Sequence, residues 1–548
     1  MTTSAMYRWR RRLADWIDPD APAAAPRRGS SGRTALVIAG GGARASFEIG
    51  ALQYLYERER IRPEIISGTS AGSIIAAMVA QHADPKAQAE ALNRLEAIWL
   101  GMQHSSDMFA EQPWFTALRS HIPTWRKVMA LRQRQANRAS LAASLTDLLA
   151  KPREAVARIA GDRPSIERPE HPPERRPPHA AVEPHDEPAA PGTGEPPREH
   201  AAGDRTPPEQ ARTWTPTHAF EALATLWEAG RSSTDLDFIV QGAQQERSAF
   251  KPGRIVEDLL DPDTFQAARV SASGVQLRVA VVSLESGELR YVDERGRLRD
   301  RQDRVLNDLE PVDLVQAILA SCSIPGVFPP VRLAREHYVD GGMRENVPAE
   351  IVLEHREVDR CYVVVAAPDG VPATSDFTDK DLMEIVMRST AAVMPDELQR
   401  DEVRLARARG AVVIQPELDI HDAITIDPGL SAIAIDYGYL RAADVCEDAG
   451  PQRQARTRDV IQLRRLIWST EDALFGRHAP GSEDPDPDVP ERDVDLGELV
   501  ELKLRLRDLV ADPGSAHLPP EAQTWWRTWE RHPFAIEVEP SWDGAYVR

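Results

Sequence analysis

Two strand, glycine turn and helix units stand in succession near the start of the chain, and no other feature restricts its fold as strongly. The run "TALVIAG" from Thr34 is short, apolar and rich in β-formers, and it ends in glycines. "SFEIGALQYLYERERI" follows with helical spacing at Phe47, Leu52 and Leu55. A second short strand, "EIIS", then leads through "GTSAG" into the apolar helix "SIIAAMVAQHA". Parallel neighbours need a crossover, usually a helix, so this alternation predicts an α/β domain of three layers with a central, mostly parallel sheet. Later text keeps the pattern: strands in "VQLRVAVVSL", "ELRYVDE" and "CYVVVAAP", a helix in "PVDLVQAILASCSI", and the apolar run "GAVVIQPEL".

Composition divides the chain. From Lys151 to Pro216 it turns to Pro, Glu, Arg and His, too poor in large apolar side chains to offset the entropy of ordering, which predicts a disordered linker. Its histidines have no fixed spacing and suggest no metal site. The α/β domain is therefore read as two parts, 33–150 and 217–476, with helical additions. A basic arm occupies 1–32, where Met6, Trp9, Leu13, Trp16 and Ile17 share one helical stripe among arginines. Such a stripe suits either a membrane surface or a terminal helix packed on its own protein. Beyond it, 477–548 combines an acidic, Pro-rich linker with a helical tail in which Leu499, Leu502, Leu506 and Leu509 form a seam.

With 548 residues, 42% of them hydrophobic, the chain can bury one large core or two ordinary ones. A net charge of −20 argues against nucleic acid as a partner, because phosphate binding needs a basic footprint. The three cysteines, Cys322, Cys361 and Cys446, form neither a CxxC pair nor an even set, so they are read as core residues of a reduced protein. No apolar run reaches the roughly 20 residues of a membrane span, and no secretory signal opens the sequence, which predicts a cytoplasmic protein with at most peripheral membrane contact.

Three short motifs carry candidate chemistry. In "GTSAG", Gly68 and Gly72 flank Ser70 between an apolar strand and an apolar helix, the context of a nucleophile elbow. The turn presents the hydroxyl at the carboxyl edge of the sheet, where the positive end of the following helix favours developing negative charge. In "GGGAR", Gly40, Gly41 and Gly42 let main-chain N–H groups approach a reacting oxygen closely. Arg44 adds a cation for a substrate phosphate or for support of the loop. The same residues fit a dinucleotide loop, Gly40-x-Gly42-x-x-Ala45, although the next strand ends in the elbow and not in a ribose-binding acid. Third is "YVDGGMRENVP", with Asp340, Gly341, Gly342, Asn346 and Pro348. Taken alone, Asp-Gly is a common turn dipeptide.

Together and in this order, the three motifs resemble the patatin-like phospholipase family, whose members carry a GGGxR or GGGxK oxyanion loop, a GxSxG serine and a DGG or DGA aspartate. "ASCSIPGVFPPV" and "DGGMRENVP" agree as well, and the likeness spans about Thr34 to Arg441; Ala45 stands where the family often has glycine. The resemblance implies a Ser70–Asp340 dyad without histidine, an oxyanion hole with Gly41 and Gly42 as donors and Gly40 shaping the turn, a base loop at Gly341 and Gly342, a phospholipid or other acyl ester as substrate, no cofactor or metal, and room for a protein activator. A histidine-dependent triad with His421 is the competing enzyme reading, and a catalytically silent lipid-binding scaffold is the competing reading outside enzymes. His337 and His355 lack glycine punctuation and are read as ordinary surface or core-edge residues. The stretch "DMFAEQPWFTALRSHIPTW" puts Phe109, Trp114, Phe115 and Trp125 forward either as the lining of an acyl channel or as packing on the core.

Overall fold

The computed structural model describes residues 32–117, 242–475 and 496–531, the middle stretch with gaps at 243, 254–255, 257–258, 260, 356, 372–376, 378–384 and 386–387. The basic arm up to residue 31, the Pro-rich linker, the acidic run before 496 and Trp125 lie outside the described residues. The chain divides into two compact units, 1–116 with 239–548 and 117–238. Of the second, only Ala117 is among the described residues.

Nine strands form the main sheet of the first unit. In chain order they are β1 (Thr34–Ile38), β2 (Pro63–Gly68), β3 (Gln276–Ser283), β4 (Leu289–Asp293), β5 (Leu298–Arg299), β6 (Val331–Leu333), β7 (Glu336–Asp340), β8 (Arg360–Val364) and β9 (Val412–Ile414). Across the sheet the order is β9, β8, β1, β2, β3, β4, β5, with β7 also on β3 and β6 on β7. The five strands from β9 to β3 are mutually parallel, and the antiparallel pairings gather on the far side of β3 and around β7.

Burial on both faces explains why the parallel strands read as continuous apolar runs and not as alternating ones. Leu36 and Ile38 point to one hydrophobic core, Ala35 and Val37 to the other. Likewise Tyr362 and Val364 face the first core while Cys361 and Val363 face the second. The first core is closed by α1 (Ala45–Glu57), α2 (Ala71–Ala80), α3 (Pro85–Gly101), α4 (Leu314–Ser321) and α6 (Pro428–Cys446). The second is closed by α5 (Met394–Ala408), through Val403 and Ala406, and by a short helix at Glu350–Leu353. Phe47 of α1 meets Tyr437 of α6 edge-on, ring centres 5.4 Å apart.

The C-terminal helices join the first core. Leu499, Leu502 and Leu506 of α8 (Leu496–Ala511) are buried in it and Leu509 packs at its margin, so this seam is satisfied within the chain. Trp525 and Trp526 are buried too. Arg464 of α7 (Pro451–Phe475) lies 4.1 Å over the Trp525 ring and pairs with Glu530 at 2.6 Å and Asp436 at 2.8 Å. Three charges buried together in this way hold one another, since removing any partner would strand a charge in a low dielectric.

The aromatic stretch after α3 is packed. Phe109 is buried and stacks on Phe328 at 5.6 Å, Phe115 meets Phe250 at 5.3 Å, and the Trp114 indole donates to the Ser248 carbonyl at 3.1 Å. Phe109–Glu111 forms a two-stranded ribbon with Phe250–Pro252. Among the described residues no helix is long and apolar enough to cross a membrane.

Candidate active site

Strand β3 organises the site. β4 occupies one of its edges, opposite both Val279 and Val281. On the other edge β2 runs parallel until Gly68 faces Val279, and β7 runs antiparallel until Asp340 faces Val281. The two strands therefore end head to head on one edge, two residues apart along β3. Their ends deliver Ser70 and Asp340 to the same place, although 270 positions separate them in sequence (340 − 70).

Ser70 sits at φ 53°, ψ −130°, a backbone conformation that costs a non-glycine residue roughly 1–3 kcal/mol. Its surroundings fix that geometry. The Ser70 N–H donates to Ser321 Oγ at 3.0 Å, and the Ser70 carbonyl accepts from the Ser73 N–H at 2.8 Å and the Ser73 hydroxyl at 2.6 Å. A Cβ on Gly72 would collide with the Ala39 carbonyl, so helix α2 can start this close to the end of β1 only with glycine there. Ser70 is the cap residue before α2 and lies at its positive end.

The Ser70 side chain lies beside the Asp340 carboxylate, close enough to favour its ionised form. Asp340 accepts from the Gly342 N–H at 2.7 Å, which turns the chain after β7. Burial pushes this carboxyl up to about 6, against the neighbouring Ser70 hydroxyl and the Gly342 N–H, which pull it down. It is thus a stronger base than an ordinary carboxylate and still mostly ionised at neutral pH. Cys361 and Cys446 are buried as expected, whereas Cys322 is only half-buried and stands beside Asp340 and Ser73; burial pushes its thiol up, away from the reactive thiolate.

The glycine loop lies against the serine. An ideal Cβ on Gly40 would come within 3.2 Å of the Ser70 Cβ, so the loop abuts the elbow instead of opening a crevice for a pyrophosphate. The Gly40 N–H is engaged with the Asn346 carbonyl at 3.0 Å, the Ala43 N–H with the Ala423 carbonyl at 2.8 Å and the Arg44 N–H with the Gly41 carbonyl at 3.1 Å. That leaves the N–H groups of Gly41 and Gly42 as the candidate donors of this loop. Gly42 has φ +57° and would drive a Cβ into the Ala423 carbonyl, so no other residue fits without moving that strap.

Arg44 is paired with the segment after β9. Its guanidinium grips Asp419 through Nε at 2.9 Å and a terminal nitrogen at 2.6 Å, and Nε also reaches the His421 carbonyl at 3.1 Å. A bidentate pair of this kind fixes the loop to the segment after β9. His421 is engaged elsewhere. Its ring nitrogens face the Ser46 hydroxyl at 3.3 Å and the Asp422 carbonyl at 3.0 Å, and burial lowers its basicity. His337 is paired with Glu285 at 2.7 Å. The side chains of Glu350, Glu354 and His355 bring ligand atoms within 4.8 Å of one another, but Glu350 already pairs with Arg301 at 2.6 Å.

Sequence reasoning missed the residues that brace these parts: Ser321, which holds the Ser70 N–H, and Asp419, which holds Arg44. Ser321 falls within the quoted "ASCSIPGVFPPV" without a role being assigned to it there, and Asp419 lies in no quoted motif.

A hydroxyl on a strained strand-to-helix turn, set beside a buried carboxylate and flanked by a glycine loop at a helix N-terminus, has the parts that acyl transfer uses. Comparison with known proteins agrees with that class. The Patatin-like phospholipase family matches residues 36–353, and the chain belongs to this family. Its central mixed sheet with helices on both faces is the corresponding fold. Among curated relatives, triacylglycerol lipase 4 of Saccharomyces cerevisiae is 49% identical over 51 residues, 9% of this chain and 6% of that protein. A patatin-like phospholipase domain-containing protein of Coccidioides immitis is 31% identical over 94 residues, 17% of this chain and 13% of that protein. The matched segments are thus small fractions of those relatives. Among solved structures, VipD from Legionella pneumophila aligns over 94% of both chains with 13% identity and a TM-score of 0.28.

Proposed function

We propose that this protein is a lipid acyl hydrolase in which Ser70 and Asp340 form a catalytic dyad. The reading rests on one observation above others, the convergence of Ser70 and a buried Asp340 carboxylate at the head-to-head ends of β2 and β7. Family membership supplies the lipid ester as substrate. Ser70 Oγ attacks the ester carbonyl carbon while its proton passes to Asp340, and the carbonyl oxygen becomes an oxyanion facing the Gly41 and Gly42 N–H groups. Collapse of the tetrahedral adduct breaks the ester bond. The departing alcohol, a lysophospholipid in the phospholipid case, takes the proton from Asp340. Water then adds to the acyl-Ser70 ester with Asp340 again as base, releasing the fatty acid and restoring the serine.

Asp340 acts as base only when ionised, so kcat/KM should rise with pH to a plateau, with half of the plateau near pH 6. Below that midpoint the rate falls about tenfold per pH unit. Initial rates of fatty acid release from phospholipid vesicles between pH 4.5 and 8 measure this; a midpoint near 4, or a flat profile, would contradict the assignment of Asp340.

The Arg44 grip on Asp419 is about three-quarters buried. Arg44→Ala should lower stability by about 1–2 kcal/mol in urea denaturation. It should also slow hydrolysis of a phospholipid and of an uncharged triacylglycerol by the same factor, because Arg44 supports the loop. A loss confined to the phospholipid would instead assign Arg44 to the phosphate.

A further inference from the structure

The segment from Glu345 to Pro348 is tied to every other part of the site. Ser67 and Thr69 of the elbow donate through their hydroxyls to the Pro348 carbonyl at 2.7 Å and the Glu345 carbonyl at 3.0 Å. The N–H groups of Asn346 and Val347 donate to the two carboxyl oxygens of Glu402 on α5, at 3.2 and 2.8 Å. Asn346 makes the remaining connection, and makes it twice. Its carbonyl accepts from the Gly40 N–H at 3.0 Å and its Nδ2 donates to the Gly40 carbonyl at 3.2 Å, a reciprocal pair that clasps both polar groups of one peptide residue. Nδ2 also donates to Gln399 Oε1 at 3.1 Å, and the Gln399 amide reaches on to the Ala367 carbonyl at 3.4 Å.

We infer that Asn346 is a positioning residue, which sets the Gly40–Arg44 loop at its working distance from Ser70 and Asp340. The inference rests on the hydrolase reading above. Asn346 lies six positions after Asp340 on the same short segment, so the clasp measures the donor loop against the base. It orients both faces of the Gly40 peptide residue and thereby aims the next two N–H groups, those of Gly41 and Gly42. A Cβ on Gly40 would collide with the Asn346 side-chain oxygen, which leaves the contact no room to slide. Burial and the nearby Glu345 push the Glu402 carboxyl up, against the N–H groups of Asn346 and Val347, which pull it down. The donors must lie within a few tenths of an ångström of where the oxyanion forms, and a misplacement near 1 Å costs on the order of 100-fold in rate.

The test compares wild type with Asn346→Ala, which deletes the clasp, and Asn346→Asp, which keeps its shape but turns the Nδ2 donor into an acceptor. Active sites are titrated with a fluorophosphonate, and vesicle hydrolysis is expressed per titrated site. Both variants should lose about 10- to 100-fold in kcat per site with KM within about threefold, and in Asn346→Ala the pH midpoint should stay where it is in wild type. Hydrogen exchange in peptides covering the Gly40–Arg44 loop should accelerate in both. A residue that merely supports the fold would lower the number of titrated sites and leave turnover per site intact. Turnover per site within about twofold of wild type in both variants, with loop exchange unchanged, overturns the inference while leaving the dyad standing. Failure of wild type to form an adduct on Ser70 removes the hydrolase reading, and this inference with it.

Discussion

Ser70→Ala should abolish acyl-enzyme formation and lower ester hydrolysis by at least about 10,000-fold, since a loss of the nucleophile leaves only binding and oxyanion donors to act on water. The expected loss is chemical and not structural. The elbow's backbone bonds to Ser321 and Ser73 do not use the Ser70 hydroxyl, so circular dichroism and thermal unfolding should report an intact fold. The backbone itself gives an internal control. Alanine at φ 53° keeps the strain of the elbow whereas glycine relieves it, so Ser70→Gly should be more stable than Ser70→Ala by about 1 kcal/mol, both being inactive. Equal stabilities would show that the elbow is not strained in solution.

Asp340→Asn carries the second large effect, a fall of roughly 1,000- to 10,000-fold in both fluorophosphonate labelling and fatty acid release. Asparagine preserves the shape, and its oxygen can still accept from the Gly342 N–H, but its amide cannot take the serine proton. Stability should move the other way. The folded carboxyl titrates near 6 against an ordinary value of 3.8, so its ionisation opposes folding: the cost is absent below pH 3.8, develops up to 6 and is complete above it. Asp340→Asn should accordingly be at least as stable as wild type at pH 7, and that advantage should fade as pH falls from 6 towards 3.8. A variant that is less stable at pH 7 than at pH 4, relative to wild type, would contradict the burial of an ionised base.

What the sequence discloses and what it conceals follow from how local each feature is. The strands at Thr34–Ile38 and Pro63–Gly68, with the helices after them, are written in adjacent residues: an apolar run, a glycine turn and a helical period. Ser70 and the three loop glycines belong to those same short texts. Strand order is not local. Nothing in "EHYVD" announces that β7 returns antiparallel to share an edge of β3 with β2, and this pairing alone brings Asp340 to Ser70. The braces are equally remote, with Arg44 and Asp419 separated by 375 positions and Asn346 and Gly40 by 306. Single polar residues in loops carry no period, so periodicity cannot find them. Packing partners are also poorly legible: the stretch around Phe109 suits either an acyl channel or the core, and Phe109 is buried against Phe328, because its partners come from after the Pro-rich segment.

The central claim is that one serine carries the chemistry. The direct measurement is to treat the full chain with a fluorophosphonate, digest it, and locate the adduct by mass spectrometry, alongside Asp340→Asn handled identically. The account predicts a single adduct on the peptide containing Ser70, formed quickly in wild type and at least about 1,000-fold more slowly in Asp340→Asn. A folded wild type that takes no adduct, or takes it on another residue, would contradict it.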